Sequence, residues 1–587
     1  MHVGNMNAHS GERLTGYQKN EIVVQSRQRT VYRLVSGHIL GIYLQRTAVK
    51  VERMEVKHQP LIVALSCLWI SLFVLFVAIL AMNSGHMIYT IDDVYIHLAI
   101  SRNLNEFSVF GVTRYEFSSS SSSPLWDLII SAGFLLAGVN DMLPLVLNAI
   151  LASIAVVTVY VLLKDTGMSP RYITGVLLSF VFFTSLPGLV FTGMEHILHI
   201  ILSLIFVVLS SRVLSGDVRL GRESFILFIV TLFVSAIRIE SIFLAIPVVL
   251  LFLMKRNWTH ALLVLGLTAV PWIVYGIVSV QNGWFFFPNS LIVKGIEDFQ
   301  YGIGWFFVRG IANLVVSPYL LGLLIASVKL PRFQEQGFWH IDNVMKLIFV
   351  SACLMHLQFG SIGWFFRYEA YLVALGVFTV AVRGHRFLSG LNLGSLSVST
   401  IQTGPKRTRL YTYGLIMLFI APLVARGALC ISWTPIASNN IYNQQYQIAL
   451  FLDRFYTGES VMMNDIGCAN FLSDIVCIDK WGIGTLDIGA SWLDGSISVD
   501  TIRIAAANRG VKIAIVYLDG LVPGEWEIVG YWTIRNNVAA YNSTVAFLVV
   551  MPSERDRLID NLIQFSSVLS EEVMESGLYT TISNETS

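Results

Sequence analysis

The sequence predicts a mainly α, polytopic transmembrane bundle of about eleven spans, followed by a C-terminal α/β domain of roughly 160 residues. Three observations predict it. The chain is poor in charge, its apolar stretches are separated by basic residues sorted to one side, and its character changes after residue 428.

Of 587 residues, 55% are hydrophobic and 13% charged. Soluble proteins carry roughly a quarter charged residues. So little charge cannot clothe a soluble surface of this size, and the mean hydropathy of +0.66 agrees. A net charge of +1 gives no electrostatic case for a nucleic acid, and none is expected as a partner. The five cysteines have no zinc-site spacing. Cys468 and Cys477 suit either a disulfide in an oxidising compartment or two free thiols.

Residues 1–59 are polar and basic, with no early apolar core, so the first span is expected to act as an uncleaved signal anchor. Spans are expected near 61–82, 143–163, 172–191, 196–211, 224–237, 241–254, 260–280, 303–326, 344–362, 368–382 and 410–428. The short pair 224–237 and 241–254, split by Arg238 and Glu240, reads as a broken hairpin or as two short helices. With the N-terminus inside, the inner loops hold Lys164 and Arg171; Arg212, Arg219 and Arg222; Lys255 and Arg256; Lys329 and Arg332; and Arg383 through Arg409. The outer loops hold only Arg102, Arg114, Arg238, Lys294 and Arg367. This sorting requires 125–139 to lie along the outer interface as a helix, and it sends the C-terminal domain outside. The expected division is a cytoplasmic segment 1–59, a transmembrane domain 60–428 with a first outer loop at 83–142, and an extracytoplasmic domain 429–587. The expected location is a plasma membrane, crossed many times.

The first outer loop contains six consecutive serines, 118–123, which by composition read as a flexible linker. In the C-terminal domain, 442–456 reads as an amphipathic helix. Val461–Met463, Ile513–Tyr517 and Val545–Val550 read as buried strands. The polar residues from about 575 read as a frayed end.

Three clusters suit chemistry. Asp92 and Asp93 follow the first span, where mutual repulsion and lost hydration raise a carboxylate towards the range of a general base. The alternative is a solvated helix end. His97 lies one turn beyond Asp93 and is placed to share its site. Glu195 and His199 stand four apart on one helix face; with Asp93 they would make a divalent-metal set, and a buried hydrogen bond is the plainer use. No other cofactor is expected. Arg238, Lys294 and Arg367 sit at outer boundaries beside apolar spans and need anionic partners. Protein carboxylates such as Glu240 and Glu369, or a lipid phosphate, would serve.

Read in order, these pieces resemble a known family. Asp92-Asp93-Val94-Tyr95-Ile96-His97 through Arg102-Asn103-Leu104, then Ser123-Pro124-Leu125-Trp126, resemble the first outer loop of GT-C fold glycosyltransferases. The nearest branch is the polyprenyl-phosphate-dependent cell-wall arabinofuranosyltransferases and their relatives. Thr192-Gly193-Met194-Glu195, Arg238-Ile239-Glu240, Pro288-Asn289-Ser290 with Lys294, Arg367-Tyr368 and Asn464-Asp465-Ile466-Gly467 follow collinearly. The chain departs in its serine run and at Asn464, where the family usually has glycine. The resemblance implies a GT-C-like bundle and transfer of a sugar from a polyprenyl-phosphate donor to a hydroxyl of an extracytoplasmic glycan acceptor. It implies an acidic base at Asp92 or Asp93, with Asp92 favoured, and inversion at the anomeric carbon. Arg238, Lys294 and Arg367 would steady the donor phosphate, supported by His97, Glu195, Glu240 and Asn289. A lipid-linked sugar flippase or transporter is the alternative class, although no internal repeat marks a transporter. A GT-C transferase with a protein acceptor is the other.

Overall fold

The computed structural model describes residues 58–216, 219–293, 302–329, 337–390 and 406–586. It divides into two units, Met1–Ile62 and Val63–Ser587. The described part of the first is the opening of the helix His58–Met82; the remaining architecture belongs to the second.

Each expected span falls on a helix or a helix pair. Among the described residues, five helices are long and apolar enough to cross a membrane: His58–Met82, Leu143–Leu163, His196–Ser215, Trp258–Gln281 and Phe419–Phe455. A sixth crossing results if Val308–Val316 and Pro318–Lys329, bent by 98°, count as one. Pro318 stands at that bend, where it cannot donate to the preceding turn. These helices make the chain an integral membrane protein. His196–Ser215 is the central one: 78% of its apolar window is buried, against 28% for His58–Met82. It therefore carries its polar N-terminal residues into the interior.

The short pair is two helices, Arg222–Ile237 and Ile242–Met254. Arg238 is extended between them, and a 3-10 turn, Ile239–Ser241, follows. After the first span, Asp93–Phe107 packs on Pro124–Ala137, whose Trp126 and Ile130 are buried while Leu135 and Leu136 are exposed.

The serine run is no flexible linker. Ser118, Ser119, Ser120, Ser121 and Ser123 are all buried. Ser119 Oγ meets Tyr275 OH at 3.0 Å, Ser120 Oγ donates to the Ile483 carbonyl at 3.1 Å, and Ser123 Oγ donates to the Ile237 carbonyl at 2.7 Å. Small side chains with a hydroxyl thread between packed elements and satisfy their own polarity there. Composition reports polarity and says nothing of such partners.

The helix Lys406–Ile441 passes through a π turn, Tyr442–Tyr446, into Gln447–Phe455 and so joins the bundle to the C-terminal sheet. That sheet has six strands in the order β2-β1-β3-β5-β4-β6. They are β1 Ser460–Met463, β2 Val476–Asp479, β3 Ile513–Val516, β4 Glu527–Thr533, β5 Thr544–Val549 and β6 Met574–Ser576. β2, β1 and β3 are parallel; β5, β4 and β6 continue antiparallel. The three strands read from sequence are β1, β3 and β5, the buried centre of the sheet.

The C-terminal end is not frayed. β6 pairs with β4, and Leu578–Thr586 is a helix. Tyr579 is buried, accepts from Trp532 Nε1 at 3.1 Å and donates to Glu575 at 2.7 Å. One aromatic anchor outweighs the polarity of its neighbours. Tyr579→Ala should therefore destabilise the sheet domain by about 3–5 kcal/mol. Thermal unfolding of the detergent-solubilised protein measures this, and an unchanged transition would mean that the last helix is not docked.

Candidate functional site

The loops after β1, β2 and β3 leave the carboxyl ends of parallel strands, the edge at which α/β sheets form ligand crevices. Here that edge faces the segment 83–142, which follows the helix His58–Met82. Between them lies a cavity of about 480 Å³, within the roughly 300–1,000 Å³ of small-molecule sites. Asp92, Asp93 and Ile96 line it from that segment. Asn464, Asp465 and Ile466 follow β1, Trp481 and Ile483 follow β2, and Asp519 and Leu521 follow β3. Tyr541 comes from the β4–β5 loop, Gln445 from the π turn, and Trp364 and Tyr368 from the bundle.

Asp92 ties the two halves together. Its Oδ2 accepts from the Gly467 backbone N–H at 2.7 Å and its Oδ1 from Cys468 N–H at 2.8 Å. A Cβ at Gly467 would fall on Asp92, so only glycine allows the approach. Asp465 accepts from Gln445 Nε2 at 2.6 Å and from the Tyr517 hydroxyl. Burial first, and then the charge of Asp465, push Asp92 up to about 8 against the pull of its two N–H donors. Burial also raises Asp465. The pair therefore retains a proton near neutral pH.

Asp93 faces the cavity with 31% of its side chain exposed and pairs with Arg367, whose side chain is 1% exposed. Arg367 Nη2 also donates to Tyr368 OH at 3.0 Å, and the guanidinium lies 4.8 Å from the Tyr368 ring centroid. Its Nε and Nη1 have no hydrogen-bond partner among the described residues. The Tyr368 ring lines the cavity; Arg367 lies behind it.

An unusual turn presents these residues. Gly363, Trp364, Phe365 and Phe366 have φ of 83°, 39°, 60° and 60°, a left-handed run that costs about 1–2 kcal/mol for each non-glycine residue. Glu369 holds it, accepting from Gly363 N–H at 2.9 Å and Tyr319 OH at 2.8 Å. Arg426 joins Glu369 at 3.4 Å and donates to the Phe366 carbonyl at 2.5 Å.

The other sequence candidates separate. Arg238 pairs with Glu240, as anticipated, and also with Glu195 through a 2.6 Å bond, so two carboxylates neutralise it. Arg367 takes Asp93, while Glu369 goes to Arg426. His97 Nδ1 lies 2.5 Å from Asp127 Oδ1, which leaves its ring on Asp127 and not on Asp93. His199 Nε2 meets Ser241 Oγ at 3.2 Å. Asp93, Glu195 and His199 are thus engaged separately, and no group of three or more metal-binding side chains converges among the described residues. Asn289 donates to the Gly482 carbonyl at 2.9 Å and pins its segment to the β2 loop. Lys294 lies outside the described residues. Cys468 and Cys477 are free.

Sequence reasoning missed Gln445, Trp481, Tyr541 and the Glu369–Arg426 brace. Asp465 falls within the Asn464–Gly467 motif, which by itself assigns it no role. The available signal was position: polar and aromatic residues just past each buried strand.

Residues 439–548 match the model of a domain of unknown function, DUF8728. No curated protein matches the chain. Among solved structures, the chain is similar to ArnT from Cupriavidus metallidurans bound to undecaprenyl phosphate. The TM-score is 0.46 at 14% identity, over 84% of this chain and 98% of that one. The apo state of the same protein gives 0.45 at 13%, with the same coverage.

The raised Asp92 has a consequence for stability. The folded state keeps a proton that the unfolded chain releases above pH ~4. That contribution is complete below pH ~4 and is lost as pH rises through about 8. The melting temperature should therefore fall from about pH 5 to about pH 8 and level off above it, and Asp92→Asn, which lowers it overall by losing one of the two acceptors, should flatten the fall. A wild-type melting temperature that is level across this range would contradict the assignment.

Proposed function

We propose that the chain is a membrane glycosyltransferase that moves a sugar from a polyprenyl-phosphate donor to a hydroxyl of a glycan. One observation carries the reading: a carboxylate backed by a buried arginine opens into a cavity between the bundle and a soluble domain. The collinear motif resemblance supports it. In this reading the domains are 1–59, 60–428 and 429–587, with the last on the extracytoplasmic side.

Asp93 is the base. Its side chain lines the cavity with 31% of its surface exposed and its partner there is the Arg367 guanidinium, whereas both oxygens of buried Asp92 are held by backbone N–H groups of the C-terminal domain. Asp93 takes the proton of the acceptor hydroxyl as the oxygen attacks the anomeric carbon. The bond to phosphate oxygen breaks, its electron pair leaves with the polyprenyl phosphate, and the centre inverts. The leaving group is already an anion and needs a cation, not a general acid. Arg367 supplies the unused edge Nε and Nη1, and the Tyr368 ring moves aside for the phosphate to reach it. A phosphate there competes with Asp93 for the guanidinium and so makes Asp93 more basic when donor is bound. Lys294, which lies outside the described residues, is a second candidate for the phosphate by the motif resemblance. Arg238 braces Glu195 and Glu240.

Asp93→Asn should lower the transfer rate by about 10²–10⁴-fold with donor affinity nearly unchanged. Arg367→Ala should weaken donor binding as well as turnover. Both are measured on the purified protein in lipid nanodiscs with a radiolabelled polyprenyl-phosphate sugar. Transfer by Asp93→Asn at the parental rate would overturn this assignment.

A further inference from the structure

We propose, independently of the transferase reading, that the helix Val308–Val316 does not cross the membrane. It lies flat in the bilayer surface on the cavity side, with its apolar face docked to lipid.

The two faces of this helix differ. Val308, Ile311, Val315 and Val316 follow the i, i+3, i+7, i+8 spacing of one helical stripe and are between 50% and 74% exposed. The opposite stripe turns inward. Arg309 Nη2 donates to the Gly360 carbonyl at 3.2 Å, and Asn313 Nδ2 donates to the Leu357 carbonyl at 2.8 Å. Gly310 lies between them, so close that a Cβ there would come within 2.7 Å of the Gln358 side chain.

Those contacts set the orientation. Residues 357–360 are the last turn of the helix Ile341–Phe359 and its cap. A helix running alongside a neighbour meets it over several turns. Here Arg309, Gly310 and Asn313 all meet one turn, so the segment crosses the end of Ile341–Phe359 and supplies donors to its terminal carbonyls. The 98° bend agrees. Beyond it, Pro318–Lys329 enters the bundle with Tyr319, Leu320, Leu323 and Leu324 buried.

The level follows from length. Ile341–Phe359 has 19 residues and is about 28 Å long, close to the depth of the hydrocarbon layer, so its end stands at the edge of that layer. The cavity is on the same side, because Gly360 lies just before the left-handed turn that brings Trp364 and Tyr368 to it. The exposed stripe carries no polar side chain, and the polar residues of this helix are spent inward. Such a face suits the acyl chains beneath the headgroups, in a protein whose neighbouring helices already cross the bilayer.

The test measures depth with a nitroxide label on single cysteines, Val308→Cys, Ile311→Cys and Val315→Cys, in the full chain in nanodiscs. Cys67→Ser and Cys477→Ser remove the two native thiols that are not fully buried. Power-saturation EPR with oxygen and an aqueous nickel chelate reads the depth of each label. Val270→Cys and Ile277→Cys, exposed on the long helix Trp258–Gln281, calibrate the step that seven residues make along a crossing, about 10 Å. The three labels should share one depth, just below the headgroups. A comparable step between 308 and 315 would mean a crossing and would overturn the proposal. So would labels reached chiefly by nickel, which would place the face in water, or shielded from both reagents, which would place it against protein.

Discussion

The grip of Asp92 on two consecutive backbone N–H groups is the contact on which the cavity depends. Gly467 and Cys468 are 375 and 376 residues away in sequence. The bond pair seats the loop after β1 directly on the segment that follows the first long helix, and Ser120 and Asn289 seat the loop after β2 by donating to the Ile483 and Gly482 carbonyls. Arg102, which donates to the Asn470 and Phe471 carbonyls, holds the same carboxyl edge of the sheet beside it, and together these contacts give Asp93 its opposite wall. The contact is also strict: it needs a residue without Cβ at 467 and a carboxylate able to face two donors at 92. The aspartate pair thus divides its work, one member holding the domains and its neighbour left open to the cavity.

Charge is layered behind this contact. Carboxylates stand on the open side and arginines behind them, with the Tyr368 ring between. The Arg238 and Arg367 guanidinium carbons lie 5.7 and 4.8 Å from the centre of that ring. A buried arginine is tolerable only when its donors are met. Arg238 meets two carboxylates and is satisfied; Arg367 meets one and keeps two of its nitrogens, Nε and Nη1, without a partner among the described residues. That difference separates two residues which sequence alone presents as equivalent, and it makes Arg367 the one suited to a further anion.

The helical bundle was legible because apolar runs and basic loops are one-dimensional signals. The central strands were legible for the same reason: β1, β3 and β5 are buried runs. β2 ends in Asp479, whose carboxylate accepts from Trp481 and Gly484 N–H to shape the next loop, so it does not read as apolar. β6 has only three residues. In the site, Asp92 and Asp93 announced themselves by adjacency and position. Gln445, Trp481 and Tyr541 did not, because their roles come from strand order and from a π turn, which are properties of the folded chain. The serine run misled for a related reason: its partners Tyr275, Ile237 and Ile483 are more than a hundred residues away.

The left-handed turn at 363–366 shows what the bundle contributes beyond a membrane anchor. Bulky aromatic residues avoid positive φ, and three in succession persist only where surroundings over-determine them. Glu369, just before the helix Ala370–Gly390, and Arg426, within Lys406–Ile441, provide that determination. The geometry gained is specific. Trp364 and Tyr368 reach the cavity, while Arg367 between them turns inward to Asp93. An ordinary helical start at 363 would place residues 364 and 368 on one face but would lose the sharp reversal that brings that face to Asp93. The strain is therefore located where the arginine, the aromatic cover and the cavity meet, and the brace that sustains it is as much a part of the site as the groups it positions.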